Sequence, residues 1–270
     1  SINILTNSIF KLNNLISNIH EIVASGSIEL SENDKQFIQR IYSDGLDKYE
    51  QRIKALGFSG VQKVLDAGCG YGQWTLALAA LNAEVYACDI SETRTSVLAS
   101  LADAIGTPNL IVDKCPLTAL VYDDNSFDII FCYGVIYVTP WRAALRELYR
   151  VLKPGGRIYL NANGLGWFIY LWKEEHNKAA DYDPRQVVAD SLRNTIHYER
   201  DGVFDDQGQI LIEPTQLKKE MEDLGFDSVQ ISAEGCLHLN HAAASPKPFF
   251  REEYYGQLGV YEAVCTKAVV

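Results

Sequence analysis

Nine consecutive residues, Val64-Leu65-Asp66-Ala67-Gly68-Cys69-Gly70-Tyr71-Gly72, constrain this chain more than any other stretch. They open as a short apolar strand and close as a glycine-rich turn. A helical pattern follows at once, with Trp74, Leu76, Ala77, Leu78, Ala80 and Leu81. Strand, glycine turn and helix in this order form a nucleotide-type cofactor site. Glycine lets the backbone turn tightly and approach a ligand closely. The helix N-terminus behind the turn presents unpaired N–H groups.

A dinucleotide site would read G-x-G-x-x-G. Gly68 and Gly70 fit, but the third position is Gln73, and glycine falls at Gly72 instead. Asp66 precedes the turn, where it would repel a pyrophosphate and favour a cation. S-adenosylmethionine carries a sulfonium and an ammonium and has no phosphate. Asp66 to Gly72 resembles the first motif of the class I S-adenosylmethionine-dependent methyltransferases.

The chain has 270 residues, enough for one large α/β domain with additions. A hydrophobic share of 47% can fill a substantial core. The net charge of −11 argues against a nucleic-acid partner, because phosphate binding needs a basic face. No run approaches the roughly 20 apolar residues of a membrane span, and no secretory signal pattern appears. The six cysteines, Cys69, Cys88, Cys115, Cys132, Cys236 and Cys265, include no C-x-x-C pair. Cys88, Cys132 and Cys265 fall in expected buried strands, and reduced thiols in a cytoplasmic protein are the expectation. His238 and His241 have H-x-x-H spacing without a clustered carboxylate, so no metal is expected.

Ile2, Leu5, Ile9, Leu12, Ile16, Ile19 and Val23 step by threes and fours, a heptad-type seam. It predicts a helix that docks on its own domain or pairs with a second copy as a homodimer. Residues 26–59 read as a second helical region, with Ser31 and Asp34 as a capping signal. Residues 1–59 are thus an expected N-terminal helical extension. From residue 60, strands and helices alternate as in a parallel sheet. Strands are expected over 63–66, 84–89, 109–113, 127–133, 157–161, 226–232 and 258–267. Helices are expected over 72–81, from a Ser91 cap to about 105, over 141–152 and over 214–224. Lys153-Pro154-Gly155-Gly156 reads as a helix stop and turn. Residues 164–212 break this rhythm and are rich in aromatic and charged residues: Trp167, Tyr170, Trp172, His176, Tyr182, His197 and Tyr198.

The resemblance to class I methyltransferases extends over 60–163 and 213–268. Asp89 stands 23 positions after Asp66, near the offset of about 20 for a ribose-binding acid. Phe127-Asp128-Ile129-Ile130 with Cys132-Tyr133-Gly134 resembles the family's strand-four motif. Leu145 to Gly156 resembles the helix and turn that follow it, and Gln216 to Val229 the late helix–strand pair. The resemblance implies an α/β, Rossmann-like, seven-stranded, mostly parallel sheet with helices on both faces and its last strand antiparallel. It places the core at 60–163 and 213–270, with 164–212 an inserted substrate cap. The cofactor would be held by Asp66, Ala67, Gly68, Cys69, Gly70 and Gly72 of the turn and by Asp89 and Ile90 after strand two. Lys114 and Cys115 would contact adenine, and Cys132 and Tyr133 would lie beside the methyl donor. The chain departs from the family in a long connection from Asp113 to Phe127. It also lacks an Asn-Pro-Pro-Tyr or Asp-Pro-Pro-Tyr after strand four, which argues against methylation of nucleic-acid bases.

The expected activity is methyl transfer to an oxygen or nitrogen of a small-molecule or glycan-like acceptor, with S-adenosylhomocysteine as the other product. Tyr42, Tyr49, Tyr137, Trp167 and Tyr170 are the candidates for acceptor recognition, although the aromatic spacing also suits ordinary packing. His176, His197 and Tyr137 are the candidates for a general base. In-line displacement at a sulfonium also works through positioning alone. Protein side-chain methylation, a non-catalytic cofactor-binding scaffold and nicotinamide redox chemistry are the competing readings; Gln73 and Asp66 oppose the last.

Overall fold

The computed structural model describes residues 17–22, 24–25 and 27–269. Residues 17–22 are helical, and Ile19 is buried among Leu30, Ile38, Tyr42, Leu98 and Leu101. The other seam residues, Ile2, Leu5, Ile9, Leu12, Ile16 and Val23, lie outside the described residues. Helix α1 (Glu32–Tyr42) starts with a capping box. Asp34 N donates to Ser31 Oγ at 3.1 Å, and Ser31 N donates to Asp34 Oδ2 at 3.3 Å. Glu32 and Asp34 in its first turn and Arg40 in its last complement the helix dipole. Helix α2 (Asp47–Ala55) follows.

The α/β alternation then runs β1 (Lys63–Ala67), α3 (Gln73–Leu81), β2 (Glu84–Asp89), α4 (Glu92–Ile105) and β3 (Leu110–Lys114). After it come β4 (Phe127–Cys132), α5 (Trp141–Val151), β5 (Leu152–Asn163), α6 (Leu165–Glu174) and α7 (Pro184–Asp201). The chain finishes with α8 (Pro214–Leu224), β6 (Phe226–Ala233), β7 (Glu253–Tyr254), β8 (Gln257–Leu258) and β9 (Val260–Lys267). Seven strands form one sheet in the order β3-β2-β1-β4-β5-β9-β6. β9 runs antiparallel to both β5 and β6, and the pairs β1–β2, β2–β3 and β4–β5 are parallel. This is the Rossmann-like α/β sheet that the motif order implied.

The chain divides into two compact units. The first runs to Pro116 and takes in Asn240–Ser245; the second holds Leu117–Leu239 and the chain from Pro246 onward. In the first unit, register pairs Ala67 with Cys88 and Asp89 with Lys114. Those strand ends therefore share one carboxyl edge. Asn240 is tied here through Nδ2 to Lys54 O at 3.1 Å and through its N–H to Ala55 O at 2.9 Å.

In the second unit, β4 is a nearly unbroken apolar run buried along its length, as a strand covered on both faces requires. Strand β5 begins earlier than the residue pattern suggested. Leu152 already pairs with Phe127, and the ladder resumes at Ile129 with Arg157, so the Pro-Gly-Gly turn is absorbed as a bulge within the strand. β9 begins later, because 253–258 close on themselves as a hairpin. Its two loop residues, Tyr255 and Gly256, have φ of 52° and 71°, as a type I′ turn demands. Residues 164–212 supply α6 and α7 and no strand of the large sheet. Asp183 caps α7, accepting from Arg185 N at 2.9 Å, and Pro184 occupies its first turn. A Cβ on Gly166 would lie 2.3 Å from Gln257 O, so the start of α6 sits directly on the hairpin backbone.

The long connection after β3 is ordered by one guanidinium. Arg150 donates to Leu120 O (3.0 Å), Tyr122 O (2.8 Å), Asp124 Oδ1 (2.8 Å) and both oxygens of Glu147 (2.8 Å each). Glu147 Oε2 in turn accepts from Leu120 N at 2.8 Å.

Candidate functional site

Within the first unit, the glycine turn is built by φ angles that side chains resist. Gly68, Gly70 and Gly72 have φ of 82°, 53° and 88°. At Gly72 space is also exhausted, because a Cβ would fall 2.3 Å from Leu98 Cδ1. The N–H groups of Gly68 and Cys69 both donate to Cys88 O, at 2.8 and 2.9 Å, which hangs the turn on β2. No side chain caps α3, and no acidic residue lies in its first turn. Its N-terminus is therefore suited to a carboxylate ligand.

Two carboxylates lie at this edge. Asp89 is 4% exposed; its Oδ2 accepts from Gly70 N at 3.0 Å and its Oδ1 from Ser91 N at 2.9 Å. Arg94 Nη1 stands 3.9 Å from Oδ1. Asp89 thus shapes the turn and the start of α4, and each oxygen can accept once more. Beside it Ile90 is 67% exposed, an open apolar surface next to the acid. Asp66 is 2% exposed, and Thr75 Oγ1 donates to its Oδ2 at 2.5 Å. Burial pushes the Asp66 carboxyl up to about 7; the Thr75 hydrogen bond opposes this and the Asp89 charge adds to it.

Other expected side-chain roles in this unit change. Lys114 Nζ pairs with Glu92 Oε2 at 2.8 Å on an exposed surface. Cys115 is buried, with its thiol hydrogen-bonded to that of Cys88 and its N–H donating to Asp89 O at 3.1 Å. Both side chains are thus engaged in structural bonds at the end of β3. Tyr42 and Tyr49, expected to meet the acceptor, are both buried. Tyr42 Oη donates to Tyr71 O at 2.6 Å and Tyr49 Oη to Ile41 O at 2.7 Å. The Tyr49 ring meets Trp74 edge-on with centroids 4.8 Å apart. Both tyrosines bind the helical extension to the cofactor turn.

In the second unit, Cys132 is fully buried, so its thiol faces the core. Tyr133 is half-buried and stacks in line with Phe131 and Tyr159, at interplanar angles of 5° and 4°. Its hydroxyl donates to Glu234 Oε1 at 3.2 Å, and Glu234 Oε2 accepts from Phe249 N at 2.9 Å. Glu262 repeats this pattern, accepting from Tyr159 Oη at 3.0 Å and Leu237 N at 2.8 Å. Asn161 Oδ1 accepts from Gly134 N at 2.6 Å. Burial pushes the Tyr137 hydroxyl up to about 12 against a hydrogen bond with Asn163, whose Nδ2 donates to Gln209 Oε1 at 3.0 Å. Asn161, Asn163, Glu234 and Glu262 escaped the sequence reading. The first two alternate at the end of an apolar strand, and Glu262 interrupts another, and those interruptions were the available signal.

Trp167 and Tyr170 pack with His176, at centroid distances of 6.0 and 5.2 Å, and Tyr170 Oη lies 3.1 Å from His176 Nδ1. Trp172 is exposed, with the Arg185 guanidinium 5.6 Å from its ring. His197 is exposed on α7, where its charge acts on Asp201. A solvent-facing histidine of this kind is a poor general base for a shielded acceptor, so His197 drops out of the candidates. All six cysteines are reduced thiols. Among the described residues, no helix is long and apolar enough to cross a membrane.

A sequence model of the family described as "Methyltransferase domain" matches residues 64–156. An uncharacterized methyltransferase of Bacillus subtilis, YcgJ, is 32% identical over 123 residues, 45% of this chain and 48% of that protein. A demethylmenaquinone methyltransferase of Shouchella clausii is 34% identical over 110 residues, 39% of this chain and 47% of that protein. The chain thus spans about half the length of these curated relatives. Among solved structures, YcgJ superposes with a TM-score of 0.54 over 82% of this chain and all of the other, at 20% identity. Geranyl diphosphate methyltransferase in complex with S-adenosylmethionine gives 0.57 over 88% and 93%, at 14% identity. Likeness at that identity concerns the fold. Residues 64–156 thus match the methyltransferase domain, and the seven-stranded sheet has the fold of these solved methyltransferases.

Proposed function

We propose that this chain transfers a methyl group from S-adenosylmethionine to an oxygen or nitrogen of a small-molecule or glycan-like acceptor. The carrying observation is the cradle at the end of β1: three positive-φ glycines, an uncapped α3 and the Asp89 carboxylate beside the exposed Ile90. Those residues suit a ligand with a carboxylate, a ribose diol and an apolar base. Asp89 would accept from the ribose hydroxyls, Ile90 would cover one face of adenine, and the first turn of α3 would receive the carboxylate. S-adenosylmethionine, when bound, supplies an electrophilic methyl group. Helices α6 and α7 would form the acceptor cap, with Trp167 and Tyr170 as its aromatic contacts. Of the base candidates His176 and Tyr137 remain; the Tyr137 hydroxyl, kept protonated by burial, would orient a nucleophile by hydrogen bonding. The demethylmenaquinone methyltransferases among the relatives support a small-molecule acceptor over a protein one. The reduced, mostly buried thiols suit a cytoplasmic setting.

The test is incubation with labelled S-adenosylmethionine and fractionated cell extract, followed by mass spectrometry of whatever gains a methyl group. Label in a small molecule supports the proposal, and label in protein transfers the assignment to side-chain methylation. Cofactor binding without any methylated product would leave a binding scaffold.

A further inference from the structure

We propose that helix α1 belongs to the cofactor site: Tyr42 fixes the Tyr71 carbonyl and so holds the glycine turn in the form that binds S-adenosylmethionine. Tyr42 is thus a positioning residue that acts through the turn. The inference rests on the reading that the cofactor lies over that turn, and every residue it uses belongs to the first unit. Gly72 N donates to Cys69 O at 3.0 Å, which closes a tight turn over Cys69–Gly72. Tyr71 sits inside it between Gly70 and Gly72, whose φ are 53° and 88°. With glycine next in the chain, the Tyr71–Gly72 peptide can turn over at low steric cost. One bond holds this peptide from within the turn, and one from outside it. The outside bond comes from the last residue of α1: Tyr42 Oη donates to Tyr71 O at 2.6 Å, and both tyrosines are buried. A buried carbonyl left without its donor is costly, so this bond favours one orientation of the peptide.

The Tyr71 side chain is held by the same helix. Its ring centroid lies 6.1 Å from that of Phe37 on α1, and the Arg94 guanidinium of α4 stands 5.9 Å from it. Its hydroxyl is hydrogen-bonded with Asp34 of α1 and with Arg94. Arg94 Nη1 also stands 3.9 Å from Asp89 Oδ1, and the other Asp89 oxygen accepts from Gly70 N at 3.0 Å. A circuit of contacts therefore runs from α1 through Tyr71 and Arg94 to Asp89 and back to the turn. Ile38, Ile41 and Tyr42 of α1 share one buried cluster with Cys69, Tyr71 and Leu98. Cofactor affinity then depends on the docking of α1, and by reciprocity the bound cofactor stabilises that docking.

Titration calorimetry on the full chain tests this with S-adenosylmethionine and S-adenosylhomocysteine, on the wild type, Tyr42→Phe and Tyr49→Phe. Tyr49 is the matched control: its buried hydroxyl also donates to a backbone carbonyl, Ile41 O at 2.7 Å, but that carbonyl belongs to α1 and not to the turn. Each change deletes one buried hydroxyl bond of the helical extension, and the two should lower Tm by comparable amounts. Only Tyr42→Phe should weaken the binding of both ligands, about tenfold, as when the binding form of the turn falls to about one molecule in ten. Wild-type affinity in Tyr42→Phe, or equal weakening in Tyr49→Phe, overturns the proposal and leaves the cofactor reading standing. Binding of neither ligand by the wild type refutes the cofactor reading and the proposal with it. If Tyr42→Phe does not fold, hydrogen exchange in the wild type serves: S-adenosylmethionine should slow the amides in the last turn of α1 more than those of α2, and equal slowing overturns the proposal.

Discussion

Replacing Asp66 with asparagine should stabilise the unliganded chain at alkaline pH, and the size of the effect follows from the burial of that carboxyl. Its ordinary value of 3.8 is raised to about 7 in the fold, chiefly by desolvation. The folded chain therefore holds the Asp66 proton more tightly than the unfolded chain. This contribution to stability is fully present below about pH 4, falls as pH rises and is exhausted above about pH 7. Roughly three units at about 1.4 kcal/mol each set an upper bound near 4 kcal/mol. Asparagine keeps an oxygen to accept from Thr75 and has no charge to desolvate, so its own curve lacks this slope. Between about pH 5 and pH 8 the variant should gain about 3 kcal/mol on the wild type. At about 2–4 °C per kcal/mol for a chain of this size, that is a clear difference in Tm. Denaturant melts at several pH values measure it. A constant offset between the two proteins from pH 5 to pH 8 would refute the reasoning, because Asp66 would then not titrate in that interval.

Asp89→Asn should weaken S-adenosylmethionine binding about tenfold or more, because the ribose hydroxyls lose a charged acceptor. It should leave the far-ultraviolet circular dichroism unchanged at a modest cost in stability, because the amide nitrogen cannot accept from one of the two backbone donors at 3.0 and 2.9 Å. Lys267→Met should cost about 2–4 kcal/mol in urea melts. The lysine donates to Asn125 Oδ1, Tyr149 O and Leu152 O at 2.7–2.9 Å, and methionine leaves both carbonyls unanswered. A double-mutant cycle on Tyr159→Phe and Glu262→Gln should show coupling of about 1–2 kcal/mol, and additive effects would deny their hydrogen bond an energetic role. Trp167→Ala should lower turnover while leaving calorimetric binding of S-adenosylmethionine unchanged; equal loss of both would move Trp167 out of the cap.

What the sequence determined by itself was local or periodic. The glycine spacing set the positive-φ turn, Ser31 and Ser91 announced two helix starts, and the apolar run from Phe127 announced a buried strand. Each depends on residues within a few positions of one another, so the pattern carries its own cause. The tertiary structure decided which groups each side chain meets. Asp89 reaches back 19 positions to Gly70, Lys114 answers Glu92, Tyr42 and Tyr49 turn inward, and Glu234 and Glu262 receive tyrosines more than a hundred positions away. The Tyr255-Gly256 hairpin is an intermediate case: its turn geometry is local, but Tyr-Gly is a weak signal beside Asn-Gly, and the close seat of α6 at Gly166 accompanies it. A carboxylate or a hydroxyl is chemically the same in any context. Strand register and burial alone decide whether it binds a ligand, pins a loop or holds a proton, and both arise from contacts between distant parts of the chain.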